Sequence, residues 1–296
     1  MSVRFRVGGE VGASLREGRP AVALETAVLT HGLPRPDNAS VYRDMMDAVR
    51  AEGAVPVPVG VWQGAIWAGL PEEALEALAG PGAAKVGLAD LPAVVARGGD
   101  GGATVAVTLW AASRAGVRVF ATGGIGGVHR GWQRTLDVSG DLVALARFGG
   151  CVVCSGAKAV LDLGCTLELL ETAGVCVVGY RTDRFPAFLW EDSGLGVRHR
   201  VDTPEEVAEV LRCRDALGLE GAVLVANPPP EGLSAEDVER VVGTASQGWA
   251  PGPDATPRLL AEAARRTAGR SVRVNRALLV ENARLGARIA RALCPG

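Results

Sequence analysis

Lysine is rare in this chain of 296 residues. Of its 31 basic residues, only Lys85 and Lys158 are lysine, and the rest are arginine. A GC-rich genome would account for the excess of arginine, but it does not account for the two exceptions. Arginine stays protonated at any working pH, whereas a lysine amine can lose its proton and attack carbon. Each lysine is therefore a candidate amine nucleophile or a candidate ligand of a phosphate group.

Lys158 follows an apolar segment, residues 150–155, that is typical of a buried strand, and a short turn of small residues separates the two. We expect an amine in that setting to be poorly hydrated, which favours its uncharged and nucleophilic form. Because burying a lysine that has no role is costly, we interpret Lys158 as a functional residue.

Glu25 directly follows another apolar segment, residues 21–24. Ligands bind at the carboxyl ends of the strands in open α/β sheets. A partly buried carboxyl there can have a raised pKa and act as a general acid. The commoner alternative is a strand-end glutamate that only caps a loop, and the residues alone leave both open.

A glycine-rich segment, residues 122–131, contains His129 and Arg130 and follows a third apolar segment. Glycines let backbone N–H groups approach an anion, and the order of strand, glycine loop and helix suits a phosphate or an oxyanion. The spacing matches neither a dinucleotide-binding fingerprint nor a Walker loop. A tight structural turn is the alternative.

Two further patterns are weaker. Asp137 and Asp141 are separated by three residues around a predicted helix start, so they could converge on one divalent cation or on a sugar hydroxyl. Alternatively, Asp137 or Ser139 is a helix N-cap. Asn275 and Asn282 lie seven residues apart and share one face of the last predicted helix. Solvent-facing polarity is the alternative for both, and an N-cap is a second alternative for Asn275.

Apolar segments alternate with amphipathic ones along the chain, which predicts an α/β fold with a largely parallel sheet. We expect a single domain over residues 1–296. The predicted strands are 21–24, 55–61, 117–122, 150–155, 175–179 and 222–226. The predicted helices are 39–52, 71–79, 103–115, 141–148, 166–173, 204–217, 235–247, 257–267 and 274–293.

Composition excludes several classes of protein. Apolar residues make up 48% of the chain and charged residues 22%, which excludes disorder. A net charge of −2 argues against duplex nucleic acid as a partner. No segment has the length and apolarity of a membrane span or a signal peptide. The chain has six cysteines, and the C-x-x-C pair Cys151 and Cys154 is interpreted as two small core residues in a reducing cytoplasm.

Taken together, the motifs resemble those of the pseudouridine-5′-phosphate glycosidases, also called the indigoidine synthase A-like family. The resemblance extends from Ala23 to about Ala290. It departs from the family pattern at residues 57–59 and 87–89. Neither departure touches the candidate chemistry, but the second could alter the rim of the site. The matching segments are ALETAVLTHGLPRPDN, KVGLADLP, GGATVAVT, VFATGGIGGVHRG, TLDVSGDL, CSGAKAVLDLGCTLELLET, VVGYRTDRFPAF and VANPPPE, together with the helix that carries Asn275 and Asn282.

The resemblance implies a three-layer α/β/α fold and a homotrimer. It implies reversible cleavage of the C–C glycosidic bond of pseudouridine 5′-phosphate to uracil and ribose 5-phosphate. In that reaction Lys158 is the nucleophile on C1′, Glu25 is the proton donor, and Asp137 binds one Mn²⁺ per subunit. The residues expected to contact substrate are Lys85, Val105, Ser139, Gly140, Asp141, Asn275 and, as a second phosphate or ribose contact, His129.

This reaction accounts for the residue types found. A C–C glycoside has no glycosidic oxygen to protonate, so the usual mechanism with two carboxylates does not apply. An amine that attacks C1′ opens the ring, and its nitrogen then pushes electrons as the C–C bond breaks, which leaves an imine. Two alternatives stay open. One is a lysine-dependent aldolase or lyase acting on another sugar phosphate, and the other is a nucleotide-binding accessory protein without turnover.

Overall fold

Strands and helices alternate along the chain in the computed structural model, which describes residues 4–234, 236–237 and 255–294. The described strands are β1 Phe5–Val7, β2 Ala21–Glu25, β3 Val55–Trp62, β4 Ala65–Ala68, β5 Ala84–Val86, β6 Gly101–Ala103, β7 Val119–Ala121, β8 Cys151–Cys154, β9 Cys176–Tyr180, β10 His199–Val201 and β11 Val223–Ala226. The described helices are α1 Gly9–Arg16, α2 Asp37–Ala51, α3 Glu72–Ala79, α4 Leu91–Ala96, α5 Val105–Ala115, α6 Trp132–Thr135, α7 Gly140–Arg147, α8 Leu163–Thr172, α9 Pro204–Ala216, α10 Ala255–Arg266 and α11 Arg270–Leu293, with a π-helical turn at Val28–Gly32.

The strands form one open sheet in the order β1-β4-β3-β2-β7-β8-β11-β9-β10, with β6 beside β3 and β5 beside β6. Within the described residues, neighbouring strands run parallel except where β3 meets β4 and β6. The central strands are buried along their whole length, as expected for a parallel sheet covered on both faces. The prediction of an α/β fold with a largely parallel sheet is therefore confirmed.

Helices cover both faces of this sheet. Successive side chains of a strand point to opposite faces, so Leu24 and Val119 belong to one core while Ala23 and Phe120 belong to the other. Helices α2, α3, α9 and α11 pack on the first face, and α1, α5, α7 and α8 pack on the second. The three-layer α/β/α arrangement is confirmed.

Several element boundaries differ from those predicted. The helix predicted over 103–115 begins at Val105, because residues 101–103 pair as β6. The helix predicted over 274–293 begins one turn earlier, at Arg270. The helix predicted over 235–247 lies outside the described residues except at 236–237. Strands β1, β4, β5, β6 and β10 were not predicted.

The C-x-x-C pair occupies the sheet itself. Cys151 and Cys154 lie in β8 and belong to opposite cores, so their thiols face away from each other. Burial raises the pKa of both thiols. All six cysteines are free. The interpretation of Cys151 and Cys154 as core residues rather than a redox pair is confirmed.

Membrane insertion would require a helix both long and apolar. Among residues 4–234, 236–237 and 255–294, no helix meets both conditions.

Candidate active site

A cavity of about 580 Å³ lies beyond the carboxyl ends of β2, β7 and β8. Its volume is within the range of pockets that bind small molecules. The structure brings all of the predicted site residues together in the lining of this cavity: Glu25, Lys85, Val105, His129, Asp137, Ser139, Gly140, Asp141, Lys158 and Asn275.

Both lysines of the chain therefore line one cavity. Lys85 is contributed by β5, and Lys158 by the turn that follows β8. The turn is fixed by two backbone hydrogen bonds, from Lys158 N to Ile125 O at 3.2 Å and from Leu161 N to Lys158 O at 3.0 Å. Lys158 is half-buried, which corrects the expectation of a buried lysine. The turn carries its side chain to the open end of the strand instead of leaving it within the core.

Glu25 is the last residue of β2 and is only 6% exposed. The Thr122 hydroxyl donates a hydrogen bond to Oε1 of its carboxyl group. Burial raises the pKa of Glu25 to about 7, although the positive charge of Lys158 and the Thr122 hydrogen bond both act to lower it. A carboxyl with that pKa holds its proton for part of the time at neutral pH, as a general acid must. Of the two alternatives, the structure favours the acid over the loop cap.

The carboxylate of Asp141 joins two segments of the cavity wall. Its Oδ1 accepts a hydrogen bond from Ala106 N at 3.1 Å, in the first turn of α5, and its Oδ2 accepts one from Gly126 N at 2.8 Å. Ser139 is the N-cap of α7, because its hydroxyl oxygen accepts from Asp141 N at 3.2 Å. Asp137 is not the N-cap. Asp141 therefore organises the wall through backbone donors, beside the first residue of α5, Val105.

Asp137 has the features of a cation ligand. Its Oδ2 is buried and has no hydrogen-bond donor. The imidazole Nδ1 of His129 lies 3.8 Å from that oxygen, beyond hydrogen-bond distance. A buried carboxylate oxygen without a donor is costly unless a cation satisfies it. The residues present thus fit a divalent cation held by one carboxylate, with water and substrate oxygens completing its shell. Within the described part of the chain, no three His, Cys, Asp or Glu side chains cluster as ligands.

The glycine-rich segment lines the cavity and also has a structural role. The N–H of Gly126 already binds the Asp141 carboxylate, so at this position the loop's anion belongs to the protein. A Cβ on Gly124 would lie 2.8 Å from the Phe188 ring, and one on Gly127 would lie 2.5 Å from Thr166 Oγ1. These glycines permit close packing, which is what a tight structural turn requires. Arg130 is not among the residues that line the cavity.

Asn275 and Asn282 are both buried, so surface polarity is wrong for both. Asn275 is not an N-cap either, because α11 begins five residues earlier, after Gly269. Asn275 Nδ2 donates to Gly32 O at 3.3 Å, and its Oδ1 is buried without a donor. That oxygen is available to a ligand in the cavity. Asn282 lies deeper, among the strand ends.

Three lining or supporting residues were not predicted as site residues. His31 lines the cavity from the π-helical turn, with Nδ1 2.7 Å from Thr30 Oγ1. Its position shortly after Glu25 was the available signal. Phe188 lines the cavity in the left-handed conformation, with φ 62°, and nothing in the sequence indicates this. Thr122 donates a hydrogen bond to Glu25. The sequence gives no sign of this contact, because it depends on the pairing of β2 with β7.

Comparison with known proteins identifies the family. The family model described as indigoidine synthase A like protein matches residues 10–292. A pseudouridine-5′-phosphate glycosidase of Methylobacterium nodulans is 52% identical over 96% of this chain and 86% of its own length.

Solved structures of the same kind superimpose closely. An indigoidine synthase A-like protein of Thermotoga maritima matches with a TM-score of 0.90 and 36% identity, over 99% of this chain and 97% of its own. The prealnumycin C-glycosynthase AlnA, solved in complex with ribulose 5-phosphate, matches with a TM-score of 0.89 and 34% identity over the same shares. This chain belongs to the indigoidine synthase A-like family.

Proposed function

We propose that this protein reversibly cleaves the C–C glycosidic bond of pseudouridine 5′-phosphate to uracil and ribose 5-phosphate, through a ring-opened ribose Schiff base on Lys158. One observation carries the proposal. Both lysines of an arginine-rich chain line one cavity together with a buried carboxyl whose pKa is about 7. That arrangement supplies an amine, an acid and a second cationic group to one small substrate.

The first step opens the ribose ring. The neutral amine of Lys158 attacks C1′, and the C1′–O4′ bond breaks as the Nζ–C1′ bond forms. Glu25 gives its proton to O4′, so the leaving oxygen departs as a hydroxyl. Nζ is then protonated, and the Glu25 carboxylate takes a proton from it. This exchange suits a carboxyl whose pKa lies close to neutral pH.

The second step breaks the C–C bond. The nitrogen lone pair forms a C=N bond to C1′ while the Glu25 carboxyl delivers to uracil C5 the proton that it took from Nζ. The electrons of the C1′–C5 bond restore the C5–C6 double bond of the departing base. Water then adds to the imine carbon and releases ribose 5-phosphate, and the Lys158 amine passes its extra proton to the Glu25 carboxylate, which returns both groups to their starting forms.

The remaining residues of the cavity wall bind the phosphate and the ribose. We assign the phosphate to Lys85, with Val105 at the positive end of α5 and the segment Ser139–Gly140–Asp141 beside it. His129 is a second contact to phosphate or ribose, and Asn275 offers its buried Oδ1 to an N–H group of the base. Asp137 would hold Mn²⁺, which supplies, when bound, positive charge that polarises phosphate or hydroxyl oxygens.

The comparisons support both the substrate class and the bond. The relative from Methylobacterium nodulans carries the name of this activity. The structural relative AlnA is named for making a C-glycoside and was solved with a pentose phosphate.

Borohydride trapping tests the covalent step. The enzyme is incubated with ribose 5-phosphate, reduced with borohydride and mapped by mass spectrometry. We expect a reduced pentose phosphate adduct on Lys158 and none on Lys85. Lys158→Met should abolish both adduct and turnover, whereas Lys85→Met, the matched control from the same cavity, should keep the adduct and raise KM. An adduct elsewhere, or none, would defeat the mechanism.

The release of uracil separates the remaining alternatives. Cleavage of pseudouridine 5′-phosphate changes the ultraviolet absorbance of the base. A lysine-dependent aldolase or lyase would give the adduct without uracil release. An accessory protein would bind the nucleotide without turnover, and Lys158→Met would leave that binding intact.

We also propose a homotrimer that acts in the cytoplasm. The resemblance to the family supports the trimer, and six free cysteines suit a reducing compartment. Light scattering on the purified chain tests the assembly, and a mass other than three subunits would refute it. Cell fractionation tests the location, and recovery outside the cytoplasmic fraction would refute that part.

A further inference from the structure

A buried asparagine joins three strand ends behind the cavity. Asn282 of α11 has no exposed surface. Its Nδ2 donates to Thr122 O at 2.8 Å and to Ser155 Oγ at 3.2 Å, and its Oδ1 accepts from Asn227 Nδ2 at 2.9 Å. Because a backbone carbonyl can only accept, the contact with Thr122 fixes which end of the amide is nitrogen. Its three partners directly follow β7, β8 and β11, three neighbours in the sheet.

Thr122 connects this network to the acid. The pairing of Leu24 with Ala121 makes Thr122 the cross-strand neighbour of Glu25. The Thr122 hydroxyl donates to the Glu25 carboxyl group, while its backbone oxygen accepts from Asn282. Thr122 is fully buried, so water has little access to either bond. The position of the hydroxyl therefore depends on the strand end that Asn282 holds.

We propose that Asn282 is a positioning residue which, through Thr122, fixes the hydrogen bond on Glu25 and so sets the pH range in which this acid holds its proton. The proposal deepens the function proposed above and rests on it for the role of Glu25. Asn282 itself touches no substrate in this account.

Other charges also act on Glu25. Lys158 and Lys85 lower its pKa, and Asp141 raises it. A Thr122 or Asn282 variant that folds keeps those charges and the burial of Glu25. A change in the titration of Glu25 would then report on the Thr122 hydroxyl. The titratable side chains around Glu25 are Lys158, Asp141, Lys85 and Tyr42, and His31, His129 and Asp137 line the same cavity.

The test follows the Glu25 carboxyl without substrate. Infrared difference spectroscopy of the full chain records the protonated carboxyl band during a pH titration, and Glu25→Gln assigns the band by its loss. Thr122→Val removes a donor that stabilises the carboxylate, so we expect the midpoint to rise by about one unit. Thr122→Ser keeps the hydroxyl and should leave the midpoint in place. Asn282→Ala should raise it by about half a unit.

Two comparisons distinguish positioning from a merely structural role. The double variant Thr122→Val with Asn282→Ala should match Thr122→Val alone, because Asn282 acts through that hydroxyl. Asn227→Ala is the matched control, since it removes the bond to Asn282 Oδ1 and leaves the bond to Thr122. We expect no shift for Asn227→Ala. If Asn282→Ala does not fold, Asn282→Ser, whose hydroxyl is too short to reach Thr122 O, takes its place.

Any of three results would overturn the proposal. The titration midpoint of Glu25 could be unchanged in Asn282→Ala, the shifts could be additive in the double variant, or Asn227→Ala could shift the midpoint as much as Asn282→Ala does. In turnover, Asn282→Ala should lower kcat about tenfold with KM nearly unchanged and the Lys158 adduct retained. Because the titration needs no substrate, its outcome is independent of whether the parent cleaves pseudouridine 5′-phosphate. Failure to cleave that compound would refute the proposed function alone.

Discussion

Replacing Glu25 with glutamine should remove a pH-dependent penalty on stability. Burial holds the pKa of Glu25 at about 7 in the folded chain, against an ordinary value of 4.5. Between these values the folded chain keeps a proton that the unfolded chain has lost, so raising the pH destabilises the folded state. At about 1.4 kcal/mol per pKa unit, the penalty is about 3 kcal/mol and is complete above about pH 7. Glutamine has no charge to bury, so the Glu25→Gln variant does not have this penalty.

Urea unfolding at fixed protein concentration measures the effect. From pH 4 to pH 8, the free energy of unfolding of Glu25→Gln should improve by about 3 kcal/mol relative to the parent. Comparing the two proteins at each pH cancels the titration of all other groups. Glu10→Gln, which removes an exposed carboxylate from α1, is the control for loss of a surface charge. If the free energies of unfolding of Glu25→Gln and the parent differ by the same amount at pH 4 and at pH 8, Glu25 carries no such penalty.

Three further predictions follow from the same geometry. If Glu25 is the proton donor, Glu25→Gln should lower kcat by about a hundredfold or more, and an unchanged kcat would contradict that role. Asp137→Asn should weaken the binding of Mn²⁺ to the free enzyme by at least about tenfold. Electron paramagnetic resonance measures this affinity, and an unchanged value would show that Asp137 is not the ligand. Gly126→Ala should destabilise the fold by about 3 kcal/mol in urea unfolding, because the new Cβ would lie 2.3 Å from Ser139 Oγ. Gly9→Ala is the control, because a Cβ on Gly9 meets no atom within 4 Å, and it should change stability by less than about 0.5 kcal/mol. Equal destabilisation by Gly126→Ala and Gly9→Ala would contradict the prediction.

The sequence was most informative where residue type alone restricts the chemistry. Two lysines among many arginines pointed to one cavity because arginine cannot replace a nucleophilic amine. Glu25 was a candidate because a carboxyl at the end of an apolar segment occupies the edge of the sheet where ligands bind, and its role as proton donor was implied by the resemblance to the family. These inferences depend on one residue and its immediate neighbours, so they require no knowledge of which strands pair.

Inferences that depend on contacts distant in the sequence were beyond reach. The glycine-rich segment looked like an anion loop, but its N–H at Gly126 binds Asp141, fifteen residues away. Thr122 was part of that motif, and its role appears only once β2 and β7 are paired. For Asn282 the sequence left surface polarity open, because helical spacing shows which residues share a face but not what covers that face. The left-handed conformation of Phe188 has no local signal at all.

Strand register explains why the acid and its partners meet. Leu24 lies opposite Ala121, and Ala121 lies opposite Val153, so the next residue of each strand lies in one row across β2, β7 and β8. Neighbouring strands are about 4.8 Å apart, which brings the side chains of Glu25 and Thr122 within hydrogen-bonding distance. A slip of β2 by one residue would turn Glu25 to the opposite face. That slip would also move the larger side chains of Val22 and Leu24 into the core that now holds Ala21 and Ala23, which disfavours it. The packing that stabilises the sheet therefore also aims the carboxyl at the cavity.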